Sequence, residues 1–132
     1  MICSLVALAT PAFACQDAAS KAITLSSWKV SVAKDEYGIT EANLTLVLRN
    51  NGEKATRLVD AKVEFADALG GYIPTIGVNR DLHLKPGAEF TQKGSYPGTN
   101  LNRIPSMAKE DVMATVCTTA VTYEDGTKST FN

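Results

Sequence analysis

Few residues of this chain have side chains suited to catalysis, and its only histidine, His83, is the natural starting point. A hydrolytic triad needs a base within hydrogen-bond reach of a nucleophile. No serine or aspartate of the sequence stands in a recognisable nucleophile elbow. His83 lies between Leu82 and Leu84, and in a strand its ring would point away from both leucines. The sequence therefore predicts a solvent-facing histidine and a protein that is not an enzyme.

A soft-metal site is the second chemistry that the residue types allow, because thioether, thiolate and imidazole groups suit copper in an exported protein. The candidate ligands are His83, Met107, Met113 and Cys117. No two of them share a short ligand spacing. Strict alternation also places Met113 and Cys117 on the same strand face as Val121, a face expected to pack the core. We expect no bound cofactor or metal, and a periplasmic copper-binding protein is the alternative function.

The first fourteen residues have the layout of a secretory signal peptide. They carry no charge, contain the apolar run Leu5-Val6-Ala7-Leu8-Ala9 and end in Ala12-Phe13-Ala14, an Ala-x-Ala cleavage site. A buried N-terminal helix is the alternative. No segment approaches the run of about eighteen apolar residues that predicts a membrane-spanning helix. We expect residues 1–14 to be a removed signal peptide, residues 15–132 to form a single domain, and the protein to be periplasmic or extracellular without a transmembrane span.

Two roles are open for Cys15, the residue that follows the expected cleavage site. In an oxidising compartment it can form a disulfide with Cys117. This bond would close a loop of about a hundred residues and stabilise the fold by up to roughly 4 kcal/mol in the chain-entropy model. A cysteine directly after a signal core also resembles the lipid-attachment site of bacterial lipoproteins. In that case the protein would be lipid-anchored in the envelope, and Cys15 would be its only attachment to a membrane.

Composition excludes several classes of protein. Thirteen Lys and Arg against fourteen Asp and Glu give a net charge of −1, which leaves no basic surplus for the phosphates that dominate nucleic-acid affinity. We therefore expect no nucleic-acid partner. A hydrophobic content of 45% with nine Gly and five Pro is typical of a folded chain, not of a disordered or collagen-like one.

The remaining chain shows period-two alternation between turn signals, which predicts short strands. The predicted strands are Ile23–Val32, Ala42–Leu48, Leu58–Phe65, Tyr72–Val78, Ala88–Tyr96, Val112–Tyr123 and a short last strand ending near Phe131. Pro74 cannot donate to a strand ladder, so its strand should lie at an edge or contain a bulge. Strands at this spacing predict an all-β, immunoglobulin-like antiparallel β-sandwich of about seven strands, with the single tryptophan, Trp28, packed in its core.

Glycines mark two of the connections. The segment Asn50-Asn51-Gly52 should turn through the positive φ that Asn-Gly tolerates. Lys85-Pro86-Gly87 has the signature of a type II turn, in which proline presets one φ and glycine takes the positive one.

The connection from Pro97 to Asp111 is longer than most connections in compact domains, and such segments are either functional or packed on the domain. Its apolar residues Leu101, Ile104 and Met107 fit both alternatives. They cap one end of the sandwich if they are buried, and they form a protein-contact patch if they are exposed.

Three segments between Leu44 and Phe90 carry a family resemblance. They are Leu46-Val47-Leu48-Arg49-Asn50, Val63-Glu64-Phe65-Ala66-Asp67 with Gly70, and Leu84-Lys85-Pro86-Gly87. In this the chain resembles the bacterial envelope immunoglobulin-like domains typified by the FxLYD family and the immunoprotective extracellular group. The resemblance implies an exported, non-catalytic domain that works by contact. We therefore expect a binding or structural module of the bacterial cell envelope, with another envelope protein as its partner. It supplies no catalytic residues.

Overall fold

The computed structural model describes residues 21–131, which form an immunoglobulin-like antiparallel β-sandwich of seven strands. The strands are β1 Ile23–Lys34, β2 Thr40–Asn50, β3 Thr56–Asp67, β4 Tyr72–Gly77, β5 Glu89–Pro97, β6 Val112–Tyr123 and β7 Lys128–Thr130. Two short 3-10 helices, Asn100–Ser106 and Lys109–Asp111, connect β5 to β6. Within the described range, no helix is long and apolar enough to cross a membrane.

The strands divide into a sheet of order β1-β2-β5 and a sheet of order β4-β3-β6-β7, and all neighbours are antiparallel. This is the strand arrangement of an immunoglobulin domain, except that the fourth strand pairs with the third instead of the fifth. The predicted position of Pro74 is confirmed, because β4 is an edge strand whose register against β3 shifts between Ile73 and Ile76. Every predicted strand is present, with bounds that differ by at most two residues.

The core lies between the inward faces of the two sheets. The alternation of β2 buries Ala42, Leu44, Leu46 and Leu48, each at most 2% exposed. From the facing sheet β3 contributes Val59, Val63 and Phe65, as its pattern predicts. Trp28 is half-buried against this core, with its ring 5.6 Å from that of Phe65 in an edge-to-face arrangement.

The face predicted for Met113 and Cys117 is wrong, because β6 contains a bulge. The register of β6 against β3 skips Thr119, which therefore counts as one extra residue on β6. Before the bulge Val116 faces the core, and after it Val121 does. Met113 and Cys117 consequently lie on the outer face of the sheet. Because of this extra residue, every β6 side chain before Thr119 points to the opposite face from the one that strict alternation counted back from Val121 predicts.

The two glycine turns have different outcomes. Gly87 has a φ of 78°, and Ala88 N–H donates to Lys85 O at 2.9 Å, so the predicted turn is confirmed. The positive φ expected at Gly52 is wrong, since its φ is not positive. The chain turns there because Asn50 Oδ1 accepts the Gly52 N–H at 2.9 Å, so a side-chain hydrogen bond replaces the left-handed residue.

Candidate functional site

His83 lies in the connection between β4 and β5 and faces solvent, as predicted. Its side chain is 60% exposed, while Leu82 and Leu84 on either side are 1% and 6% exposed. Its Nδ1 atom is 3.2 Å from Oε1 of Glu124. The ring therefore makes a surface contact between two connections.

The structure does not bring the four copper candidates together. Met113 and Cys117 share the outer face of β6, but four residues of strand separate them by about 13 Å. His83 contacts Glu124, which directly follows the far end of β6, and Met107 is half-buried against the core. Across residues 21–131, no group of three or more His, Cys, Asp or Glu side chains is placed to hold a metal ion.

Cys117 is a buried residue at 4% exposure in the middle of β6. Cys15 and the expected signal peptide of residues 1–14 lie outside the described residues. The disulfide between Cys15 and Cys117, the lipid at Cys15 and the cleavage after Ala14 therefore stay predictions.

The apolar residues of the β5–β6 connection close the core. Leu101 is fully buried, Ile104 is 5% exposed, and both belong to the main hydrophobic cluster, with Met107 packed against it. Met107 N–H donates to Ile104 O at 3.0 Å, which holds the end of the 3-10 helix. These three residues therefore cap the end of the sandwich and do not form an exposed contact patch.

Three segments meet at the end of the sandwich where β1 turns into β2, and together they are called the apolar end. They are residues 34–41, residues 67–72 and residues 98–111. The third segment contacts both of the others. Gly98 N–H donates to Thr40 O at 3.4 Å, and Arg103 Nη2 lies 3.5 Å from Asp67 Oδ2. Both turns therefore border the third segment at the same end of the sandwich.

Exposed apolar side chains concentrate at this end. Of the seven large hydrophobic side chains that are exposed among residues 21–131, six lie in the apolar end or within two residues of it. They are Val32, Tyr37, Ile39, Leu69, Tyr72 and Met113. Leu69 is 98% exposed and Tyr37 is 80% exposed. Single exposed apolar residues are ordinary, whereas a concentration on one surface marks a contact site.

Tyr37 and Leu69 occupy the same position in two turns with the same hydrogen bonds. In the first turn, Asp35 Oδ1 accepts the N–H of Tyr37 and that of the residue two places later, both at 2.9 Å. In the second turn, Asp67 Oδ1 accepts the corresponding N–H groups at 2.9 Å and 2.8 Å, the first of them from Leu69. Each carboxylate therefore fixes the backbone on both sides of an exposed apolar tip.

A glycine follows each tip and completes the turn. Gly38 has a φ of 76° and Gly70 a φ of 80°, a conformation that L side chains rarely adopt. Their N–H groups donate to the carbonyl oxygens of Asp35 and Asp67 at 3.0 Å and 2.9 Å. Both turns thus follow the pattern Asp-x-apolar-Gly.

The carboxylate of the second turn is held in its charged form. The N–H groups of Gly71 and Leu69 lower the pKa of Asp67 below its ordinary value, and the Arg103 guanidinium adds to this. A hydrogen bond to the ionised form favours that form.

The opposite end of the sandwich, called the polar end, comprises residues 50–56, 82–88 and 123–128. Asn50, which is only 1% exposed, ties the first two segments together. Its Nδ2 donates to Lys54 O at 2.9 Å and to Leu84 O at 3.0 Å, while its Oδ1 accepts from Gly52. All of its side-chain polar atoms are satisfied, as burial requires.

The β6–β7 turn at the polar end repeats the backbone geometry of the two apolar turns. Tyr123 N–H donates to Thr127 O and Gly126 N–H to Tyr123 O, both at 2.9 Å, and Gly126 has a φ of 84°. Its tip is Asp125. The hydroxyl and N–H of Thr127, with Lys54 at 3.1 Å, lower the pKa of Asp125 to about 2.

The exposed tips Tyr37, Leu69 and Tyr72 were not predicted from the sequence. The signal that could have found them is the repeated Asp-x-apolar-Gly pattern, which places a large apolar residue where most turns carry a polar one.

Comparison with protein-family models, curated proteins and solved structures finds no match for this chain. The immunoglobulin-like fold therefore rests on the strand order of this protein itself. Function has to be argued from the surfaces that the fold presents, and the apolar end is the most distinctive of them.

Proposed function

We propose that this protein is an exported, non-catalytic binding or structural module of the bacterial cell envelope, built on an immunoglobulin-like sandwich. The observation that carries the contact role is the concentration of exposed apolar side chains at one end. Export rests on the uncharged, Ala-x-Ala-terminated layout of residues 1–14.

The partner in this proposal is another envelope protein. The near-zero net charge of −1 argues against nucleic acid, because phosphate binding needs a basic surplus. The module works without a cofactor. Cys15 either forms a disulfide with Cys117 or carries a lipid that anchors the module to the envelope membrane.

The intact mass of the protein, isolated from envelope and cytosolic fractions of its native host, tests this proposal. It is recorded before and after reduction and thiol labelling. Loss of residues 1–14, with two thiols that label only after reduction, indicates a soluble module with a disulfide. A mass increased by diacylglycerol and acyl groups indicates a lipoprotein. Both results support export.

A full-length chain with freely labelled thiols in the cytosolic fraction would contradict the proposal. Two matched variants assign the result to residues. Cys15→Ser removes either a lipid or a disulfide, whereas Cys117→Ser removes only the disulfide and leaves lipid attachment intact.

A further inference from the structure

We infer that the apolar end binds a partner protein whose contact surface is apolar and rimmed by lysine and arginine, an inference that rests on the proposed binding role. The two turn tips, Tyr37 and Leu69, are its most exposed apolar side chains, and Ile39 and Tyr72 are exposed in the same two segments.

Folding does not require apolar residues at the two tips. The β6–β7 turn makes the same two backbone hydrogen bonds with a left-handed glycine and carries Asp125 at the equivalent position. Leu69 at 98% exposure buries almost nothing within its own chain, so it gains almost no hydrophobic stabilisation from folding. A contact outside the chain accounts for its side chain, and the same reasoning applies to Tyr37.

The backbone around each tip is also fixed before any partner binds. The carboxylates of Asp35 and Asp67 each accept two backbone N–H groups around a tip. Binding through such turns costs less conformational entropy than binding through loops that must first be ordered. Large aromatic and aliphatic side chains at the centre of a surface are typical of binding hot spots.

Charge identifies the chemistry of the partner. The three segments of the apolar end contain six carboxylates and three basic side chains, which gives a net charge of −3. The segments of the polar end contain three of each. Complementary charge around an apolar centre favours a partner with a basic rim. It disfavours an anionic bilayer, and it disfavours a second copy of this end placed against itself.

Photo-crosslinking in intact cells of the native host tests this inference. A photoreactive phenylalanine analogue replaces Tyr37 or Leu69, and in a third chain it replaces Leu58, an exposed apolar residue outside the apolar end. The adducts are identified by mass, and the crosslinked peptide is sequenced. We expect Tyr37 and Leu69 to capture the same protein, through a peptide with Lys or Arg beside apolar residues. Leu58 should not capture it.

Two pairs of variants test the apolar and the charged contributions separately. Leu69→Asp should lower the yield from position 37 by about tenfold or more, the loss typical of a hot spot. Leu58→Asp should leave that yield unchanged. Leu69 is 98% exposed and packs against almost nothing, so Leu69→Asp should keep the wild-type melting temperature. Glu36→Lys should also lower the yield, and Glu53→Lys at the polar end should not.

Several results would overturn the inference. They are an adduct of twice the chain mass, an adduct with lipid, an acidic contact peptide, and no adduct at either tip. A protein adduct from position 58 alone would overturn this surface and leave the proposed binding role standing. No protein adduct from any of the three positions would count against both.

Discussion

At the polar end two buried polar side chains, Asn50 and Thr56, close the core through hydrogen bonds to the backbone, whereas at the apolar end Leu101 and Ile104 close it. The exposed surfaces of the two ends differ in the same way as these buried layers. The polar end carries ion pairs, such as Lys54 with Asp125. The apolar end carries Tyr37 and Leu69.

The three related turns separate what folding demands from what it leaves free. All three keep a left-handed glycine and the same backbone hydrogen bonds. Their tips differ: Tyr37, Leu69 and Asp125. The backbone of this turn therefore accepts different residue types at its tip, so an apolar tip is available for function. The difference between buried and tip residues can be tested by comparing the stabilities of paired variants, one at a buried position and one at an exposed position of the same end.

Leu101→Ala should give the largest loss of stability. Leu101 is fully buried and Leu69 is 98% exposed, although both belong to the apolar end. Replacing a buried leucine by alanine costs about 2–5 kcal/mol, because transfer free energy is lost and a cavity remains. Leu69→Ala should change the free energy of unfolding by less than about 0.5 kcal/mol. Urea unfolding of both variants measures the difference.

Similar losses for Leu101→Ala and Leu69→Ala would contradict the division between buried cap and exposed tip. Ile104→Ser is a second check at the same end. At 5% exposure, Ile104 should behave like Leu101, since the change places a hydroxyl in the apolar cluster.

Asn50→Ala should destabilise the polar end by about 2–3 kcal/mol. The change removes the Asn50 partner of the Gly52 N–H and of Lys54 O, whereas Leu84 O keeps the N–H of Thr56. A buried polar group left unsatisfied costs about 1–3 kcal/mol. Its exposed neighbour supplies the control, because Asn51→Ala should stay within about 0.5 kcal/mol of the wild type. An equal effect of the two changes in urea unfolding would show that Asn50 does not hold this end.

Gly70→Ala should cost about 1–2 kcal/mol, because an L residue at a positive φ is strained. The control is Gly77→Ala. An added Cβ meets nothing within 4 Å at either position, but only Gly70 has a positive φ, at 80°. Gly77→Ala should therefore be neutral or slightly stabilising. Equal stabilities of the two variants by thermal unfolding would mean that the turn relaxes, and that its tip is not held as described.

The sequence predicts the strands of this fold well, because alternation and turn residues act locally. The spacing of Leu44, Leu46 and Leu48 predicts the buried face of β2, and Pro86-Gly87 predicts the turn that precedes β5. Local patterns cannot reveal the extra residue at Thr119, since a run of threonines fits either face of a strand. For that reason the face of Met113 and Cys117 was predicted wrongly.

Other features depend on contacts between distant segments. The sequence identifies Asn50 only as a turn residue. Its hydrogen bond to Leu84 O joins positions 34 residues apart, which no local pattern indicates. Likewise, the Asp-x-apolar-Gly pattern of Asp35 and Asp67 is visible in the sequence. That both turns lie at one end follows only from the way the sheets stack, and so the candidate surface could not be assembled from the sequence.

The smallest expected effect is a pH dependence at the polar tip. Hydrogen bonds from Thr127 and the charge of Lys54 lower the pKa of Asp125 from 3.8 to about 2 in the folded protein. The folded pKa lies below the unfolded one, so ionised Asp125 stabilises the fold above the unfolded pKa. This contribution is lost as the pH falls toward about 2.

Asp125→Asn keeps an oxygen that can accept a hydrogen bond from Thr127, but its side chain cannot ionise. The difference in free energy of unfolding between wild type and Asp125→Asn should be largest near neutral pH and shrink on acidification. A difference for Asp125→Asn that does not change with pH would mean that the charge of this tip does not stabilise its turn, and the polar and apolar tips would then be equally dispensable for folding.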